Sequence, residues 1–178
     1  EQAIAGLAAL AACESAPGVV EPAAALPGPG TVFVFSGQGS HWVGMGRRLL
    51  ADEPVFAAAV AELEPVFVAQ VGFSLREVIA DGVEISGDAQ VQPVIMGLQL
   101  ALAALWRSYG VVPDAVIGHS MGEVSAAVVA GALTPEQGLK VIGVRSALMS
   151  RQAGQGAVAL LELDAVAAGE LLAGYPGV

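Results

Sequence analysis

Short apolar runs alternate with longer stretches of helical periodicity along this chain. Thr31-Val32-Phe33-Val34-Phe35 is rich in β-branched and aromatic residues and predicts a short buried strand. Ala115-Val116-Ile117, ending at Gly118, predicts a second strand. Elsewhere apolar residues recur at helical spacing, predicting helices over 42–50, 54–68, 73–79, 123–130 and 135–150, and one opened by Gln92-Pro93 and running to about 109. Pro54 and Pro135 stand where a helix tolerates proline, in its first turn. Thr134-Pro135-Glu136-Gln137 pairs a capping threonine with a glutamine three residues on, the pattern of a capping box. Residues 1–14 keep helical spacing through Ile4, Leu7, Leu10 and Ala11. Pro17, Pro22, Pro27 and Pro29 mark 15–30 as a linker. Near the end, 157–163 reads as a strand and 165–173 as a helix. Strands alternating with helices predict an α/β fold with a parallel sheet, its reactive groups outside a strand's carboxyl end.

Composition narrows the functional classes. The chain of 178 residues is 55% hydrophobic and 13% charged, with a formal net charge of −10. It lacks the basic surface that neutralises phosphates, so nucleic acid is not an expected partner. Cys13 is the single cysteine, which excludes an internal disulfide and a cysteine metal cage and fits a reducing cytoplasm. Two histidines, His41 and His119, are too few for an evident zinc site, and no metal is expected. The apolar run 94–106 is shorter than the roughly 20 residues of a membrane span, so no membrane association is expected. Glu1-Gln2 opens the chain without a basic n-region, unlike a signal peptide. A start without methionine suggests a piece of a longer polypeptide.

The chemistry gathers at Gly118-His119-Ser120-Met121-Gly122. A serine on a sharp turn between a strand and a helix is a nucleophile elbow, which pushes the hydroxyl into the open. The small residues on either side let strand and helix approach closely. The helix start directs N–H groups and partial positive charge at an anion, which suits the oxyanion of acyl transfer. The pentapeptide alone arises by chance in a chain with 23 glycines, but here a predicted strand precedes it and a predicted helix follows.

Three more features accompany the serine: the loop Phe35-Ser36-Gly37-Gln38-Gly39-Ser40, the pair Gln92-Pro93, and Arg145 in the helix after next. With Gly118-His119-Ser120-Met121-Gly122-Glu123, they closely resemble the acyltransferase domain of modular polyketide synthases. The same pattern occurs in malonyl-CoA:acyl-carrier-protein transacylases. The resemblance covers about 30–165. It implies a large α/β subdomain over 31–155 and the start of a small ferredoxin-like subdomain over 156–178. Residues 1–30 resemble the end of the linker from a ketosynthase domain of the same polypeptide.

By the same resemblance, Ser120 attacks an acyl-CoA thioester and holds the acyl group as an ester. The group then passes to the phosphopantetheine thiol of an acyl carrier protein, so the domain itself carries no cofactor. Gln38 and Met121 match the residues whose backbone N–H groups form the oxyanion hole. Arg145 matches the arginine that grips the free carboxylate of malonyl- or methylmalonyl-CoA, for which a planar guanidinium is suited. Gln92 matches a supporting pocket glutamine. His119 is tempting as a base, but neighbours around a sharp elbow point apart, and a pocket-lining role fits better.

Each residue also has a plainer reading. Arg145 could be a solvated helix residue, the Gln38 side chain purely structural, and Trp42, Met45, Met96, Leu98 and Leu100 packing residues. The family places its general base on a histidine well downstream of the serine, and no histidine follows His119, so the chain alone should turn over poorly. Two indicators of the extender disagree. Met121 resembles malonyl-type domains, and Asp88-Ala89-Gln90-Val91-Gln92-Pro93 resembles methylmalonyl types; the balance leans to methylmalonyl. The rival function is a serine hydrolase of the thioesterase or lipase kind, which shares the elbow but not Arg145 or the Gly37-Gln38-Gly39 loop.

Overall fold

The computed structural model describes residues 2–12, 14–19, 30–156 and 161–175. In chain order the elements are α1 (Gln2–Ala12), β1 (Val32–Phe35), α2 (Arg47–Asp52), α3 (Pro54–Val71), α4 (Leu75–Asp81), α5 (Asp88–Ser108), β2 (Ala115–Gly118), α6 (Gly122–Val129), α7 (Pro135–Arg151) and α8 (Ala165–Leu172). β1 and β2 pair in parallel, with Val32 opposite Ala115 and Phe35 opposite Gly118. An α/β architecture follows, as the alternation of strand and helix patterns implied.

The core lies among helices. α5 is central, with Val91, Val94, Ile95, Met96, Leu98, Ala101 and Leu105 all buried. It packs against Phe56, Val60, Leu63 and Phe67 of α3 and Leu139 and Ile142 of α7. A second, smaller cluster of Phe35, Ala103 and Ala126 fastens the sheet to α5 and α6. α3 and α5 are long and apolar enough to cross a membrane by length and composition; most of α5 is buried in the core, whereas α3 buries Phe56, Val60, Leu63 and Phe67 and leaves most of its surface exposed.

Local rules account for most boundaries. Thr134 Oγ1 accepts from Gln137 N–H, and Gln137 Oε1 accepts from Thr134 N–H, closing the predicted capping box of α7. Several expectations need correction. The helix predicted over 42–50 begins at Arg47, because Gly46 takes φ 84° and turns the chain just before it. Trp42, expected to pack, lies in that loop and is 67% exposed. α5 begins at Asp88, not at Gln92, and Pro93 lies inside it. Gly87 caps that helix, and the Gln90 side chain accepts from Ser86 N–H to secure its first turn.

The strand 31–35 is buried on one face only: Phe35 is covered, while Val32 and Val34 are exposed. Of the strand expected over 157–163, residues 157–160 lie outside the described residues, and 161–163 form no strand. Most of the proline-rich 15–30 and Cys13 also lie outside them.

Candidate active site

The two strands end side by side, and both loops that matter leave from their carboxyl ends. His119 N–H donates to the Phe35 carbonyl at 2.9 Å, extending the ladder one residue past β2. The chain then reverses. Gly122 N–H donates to His119 C=O at 2.9 Å, and Glu123 N–H to Ser120 C=O at 3.1 Å. Ser120 sits at the apex with φ 53°, the one non-glycine residue of positive φ among those described. Holding an L-residue there costs about 1–3 kcal/mol and places its side chain outward. Ser120 is accordingly exposed.

Two glycines make the turn possible. A Cβ on Gly118 would overlap the backbone of Gly122 and Glu123, and one on Gly122 would overlap the Phe35 carbonyl. The turn therefore packs backbone on backbone against the end of β1. α6 begins immediately, with Met121 as its cap residue. The N–H groups of Gly122, Glu123 and Val124 donate to the carbonyls of His119, Ser120 and Met121, and the positive end of the helix lies beside Ser120. The Met121 side chain is 1% exposed and part of the core. Its thioether is therefore spent on packing. His119 is exposed, and its Nδ1 lies beside the Gly37 backbone, 3.1 Å from where a Cβ would sit there.

The remaining predicted residues meet in one hydrogen-bonded chain. Arg145, half-buried on α7, donates from Nη2 to Ser120 Oγ at 3.1 Å and from Nη1 to Gln92 Oε1 at 2.5 Å. Gln92, 1% exposed on α5, donates from Nε2 to Gln38 Oε1 at 2.9 Å and to Met149 Sδ at 3.5 Å. Gln38, in the loop after β1, donates from Nε2 to Asp88 Oδ1 at 2.8 Å. Arg145 is thus no solvated helix residue, and the Gln38 side chain has partners on both sides. A shallow, open groove of about 620 Å³, walled by Val141, Val144, Leu148 and Met149, runs along α7 beside Arg145.

Two residues that shape this site were given no site role in the sequence. Asp88 ends the polar chain. Gln99, a polar break in an apolar run, donates from Nε2 to the Ser36 carbonyl at 2.9 Å and accepts from the fully buried Ser125 hydroxyl at 2.6 Å. It ties the loop after β1 to α6. A polar residue inside an apolar helical stretch is the signal that could have found it. Among the described residues, no group of three His, Cys, Asp or Glu side chains could hold a metal ion.

Residues 32–178 match the family model of the acyl transferase domain. The chain belongs to the acyl transferase domain family. The sequence resemblance to polyketide synthase acyltransferases is borne out by the relatives. The chain is 69% identical over 177 residues to a phenolphthiocerol/phthiocerol polyketide synthase of Mycobacterium tuberculosis, a match covering 99% of this chain and 8% of that protein. The solved acyltransferase domain of the polyketide synthase PpsC of Mycobacterium tuberculosis is 68% identical, with a TM-score of 0.79 over 96% of this chain and 50% of that one. A malonyl-transacylase solved in complex with a type II acyl-carrier protein is 31% identical, with a TM-score of 0.61 over 70% of this chain and 40% of that one. The chain therefore spans a small part of the synthase it matches and half of that solved domain.

In this acyltransferase segment the geometry can do three things. It exposes a strained serine hydroxyl, it starts a helix directly beside it, and it holds a guanidinium at the hydroxyl itself.

Proposed function

We propose that this segment loads a carboxylated extender unit from its coenzyme A thioester onto an acyl carrier protein. The turn at Ser120 is read as a nucleophile elbow. Ser120 Oγ attacks the thioester carbonyl, the coenzyme A thiolate leaves, and an acyl-serine ester forms. The phosphopantetheine thiol of the carrier then attacks that ester and regenerates the serine. The oxyanion of each tetrahedral intermediate is met by the N–H groups of Met121 and Gln38; one such donor is worth about 2.7–4 kcal/mol of barrier. The histidine base that this chemistry calls for is not read as His119, which flanks the elbow.

The observation that carries the reading is the 3.1 Å contact from Arg145 to Ser120 Oγ. In a malonyl ester the free carboxylate lies two carbon–carbon bonds from the ester carbonyl. A guanidinium already at the hydroxyl is within reach of that carboxylate, and its second edge is held by Gln92. Arg145 therefore favours a dicarboxylic half-thioester over a plain acyl-CoA. The extender is read as methylmalonyl ahead of malonyl, on the strength of the segment 88–93. One methyl is worth only about 1–3 kcal/mol in such a pocket.

The test uses the intact polypeptide that carries this segment. Incubation with methylmalonyl-CoA or malonyl-CoA gives an acyl adduct on Ser120 by mass spectrometry, and Ser120→Ala gives none. Arg145→Ala lowers the preference for carboxylated over plain acyl-CoA by about tenfold or more, and Arg145→Lys does not restore it. Unchanged preference refutes the clamp. Rapid release of free acid, with no transfer to carrier protein, would make the segment part of a hydrolase.

A further inference from the structure

We propose that Asp88 is a positioning residue whose carboxylate orients the amides of Gln38 and Gln92 and thereby aims Arg145 at the extender's carboxylate. The proposal rests on the reading of Arg145 as the clamp. A side-chain amide has unlike ends, an accepting oxygen and a donating nitrogen. An arginine only donates, and an ionised aspartate only accepts. Gln38 and Gln92 lie between these two in series: Gln38 donates to Asp88, Gln92 donates to Gln38, and Arg145 donates to Gln92. With donor-only and acceptor-only ends, each amide satisfies both neighbours in one orientation. Removing the acceptor at 88 frees the Gln38 amide to turn, which sets two NH₂ groups against each other in front of Gln92. Gln92 is 1% exposed, so water does not make good a lost partner.

The anchor itself is held. Ala89 N–H donates to Ser150 Oγ at 3.0 Å, fixing the start of α5 against the last turn of α7, the helix that carries Arg145. Through Gln38 the same chain reaches the loop that supplies the proposed oxyanion donor. One acidic group thus sets both the clamp and the loop facing it.

A charge in the first turn of α5 also stabilises that helix through its dipole, so the experiment separates the two roles. In the intact polypeptide, the ratio of kcat/KM for malonyl-CoA to that for acetyl-CoA is measured. Asp88→Ala lowers the ratio by about tenfold. Asp88→Asn restores most of it, because Oδ1 still accepts from Gln38 although the charge is gone. Equal losses in both variants assign Asp88 to the helix end and overturn the proposal. Gln38→Leu keeps the backbone N–H, lowers the ratio similarly, and adds nothing when combined with Asp88→Ala; additive losses overturn the relay. If Asp88→Ala melts before assay, Gln38→Leu and Asp88→Asn carry the measurement, and an unchanged ratio in Gln38→Leu overturns it. Arg145→Ala is run alongside. A ratio unmoved by Arg145→Ala removes the clamp and the relay together, whereas a fall there with none in Asp88→Ala sinks the relay alone.

Discussion

At Ser120 the backbone is held in a strained conformation. The left-handed φ of 53° is tolerable only because β2, α6 and the Phe35 carbonyl fix the residues on both sides. Replacing Ser120 with glycine removes the steric penalty. Ser120→Gly should therefore raise stability by about 1 kcal/mol while abolishing acylation, with denaturant unfolding and adduct mass as the readouts. A destabilised glycine variant would show that the turn is unstrained. The turn at this serine was legible in the sequence because its signal is local: five residues, two of them glycines, between a strand and a helix. Arg145 was legible only through family resemblance. A lone arginine on a helix carries no mark of what it faces.

The junction between β2 and α6 has no room for a side chain. Gly122→Ala would drive a Cβ into the Phe35 carbonyl, and the expected loss is about 1–3 kcal/mol with a matching drop in melting temperature. An unchanged melt would contradict the packing of the turn on β1. At the other end of α5, Tyr109 O–H donates to Glu53 at 2.6 Å, joining that helix to the start of α3. The hydrogen bond to Glu53, then desolvation and the Glu53 charge, raise the tyrosine above its ordinary 10.0. The folded state therefore holds this proton more tightly than the unfolded chain. Its contribution is present below the ordinary value and lost as the pH rises through the folded one. Tyr109→Phe should flatten the alkaline fall of stability in a pH series of unfolding curves; an identical slope would count against the bond. Elements were legible where caps and periodicity agree, as in α7. They were misplaced at Arg47 and Asp88, where a glycine's backbone angle set the start of the helix.

Across the whole molecule, Gln99 joins parts distant in sequence: the loop after β1, central α5, and α6 through Ser125. Gln99→Leu leaves the fully buried Ser125 hydroxyl without its partner, and about 1–3 kcal/mol of stability should go. It should also slow acylation, since the loop bearing Gln38 loses its tether; stability lost with acylation intact would confine Gln99 to packing. The two strands, the turn at Ser120, the α7 cap and the α/β class could all be read from the order of residues. They follow from interactions among residues a few positions apart, where periodicity, steric allowance and capping operate. That Asp88, Gln38, Gln92, Arg145 and Ser120 form one chain of hydrogen bonds emerges only in the folded molecule. Successive links there bridge 50, 54, 53 and 25 positions. Contacts that distant exist only once α5 has packed against α7 and the sheet has closed, and no local preference encodes which polar groups that packing brings together.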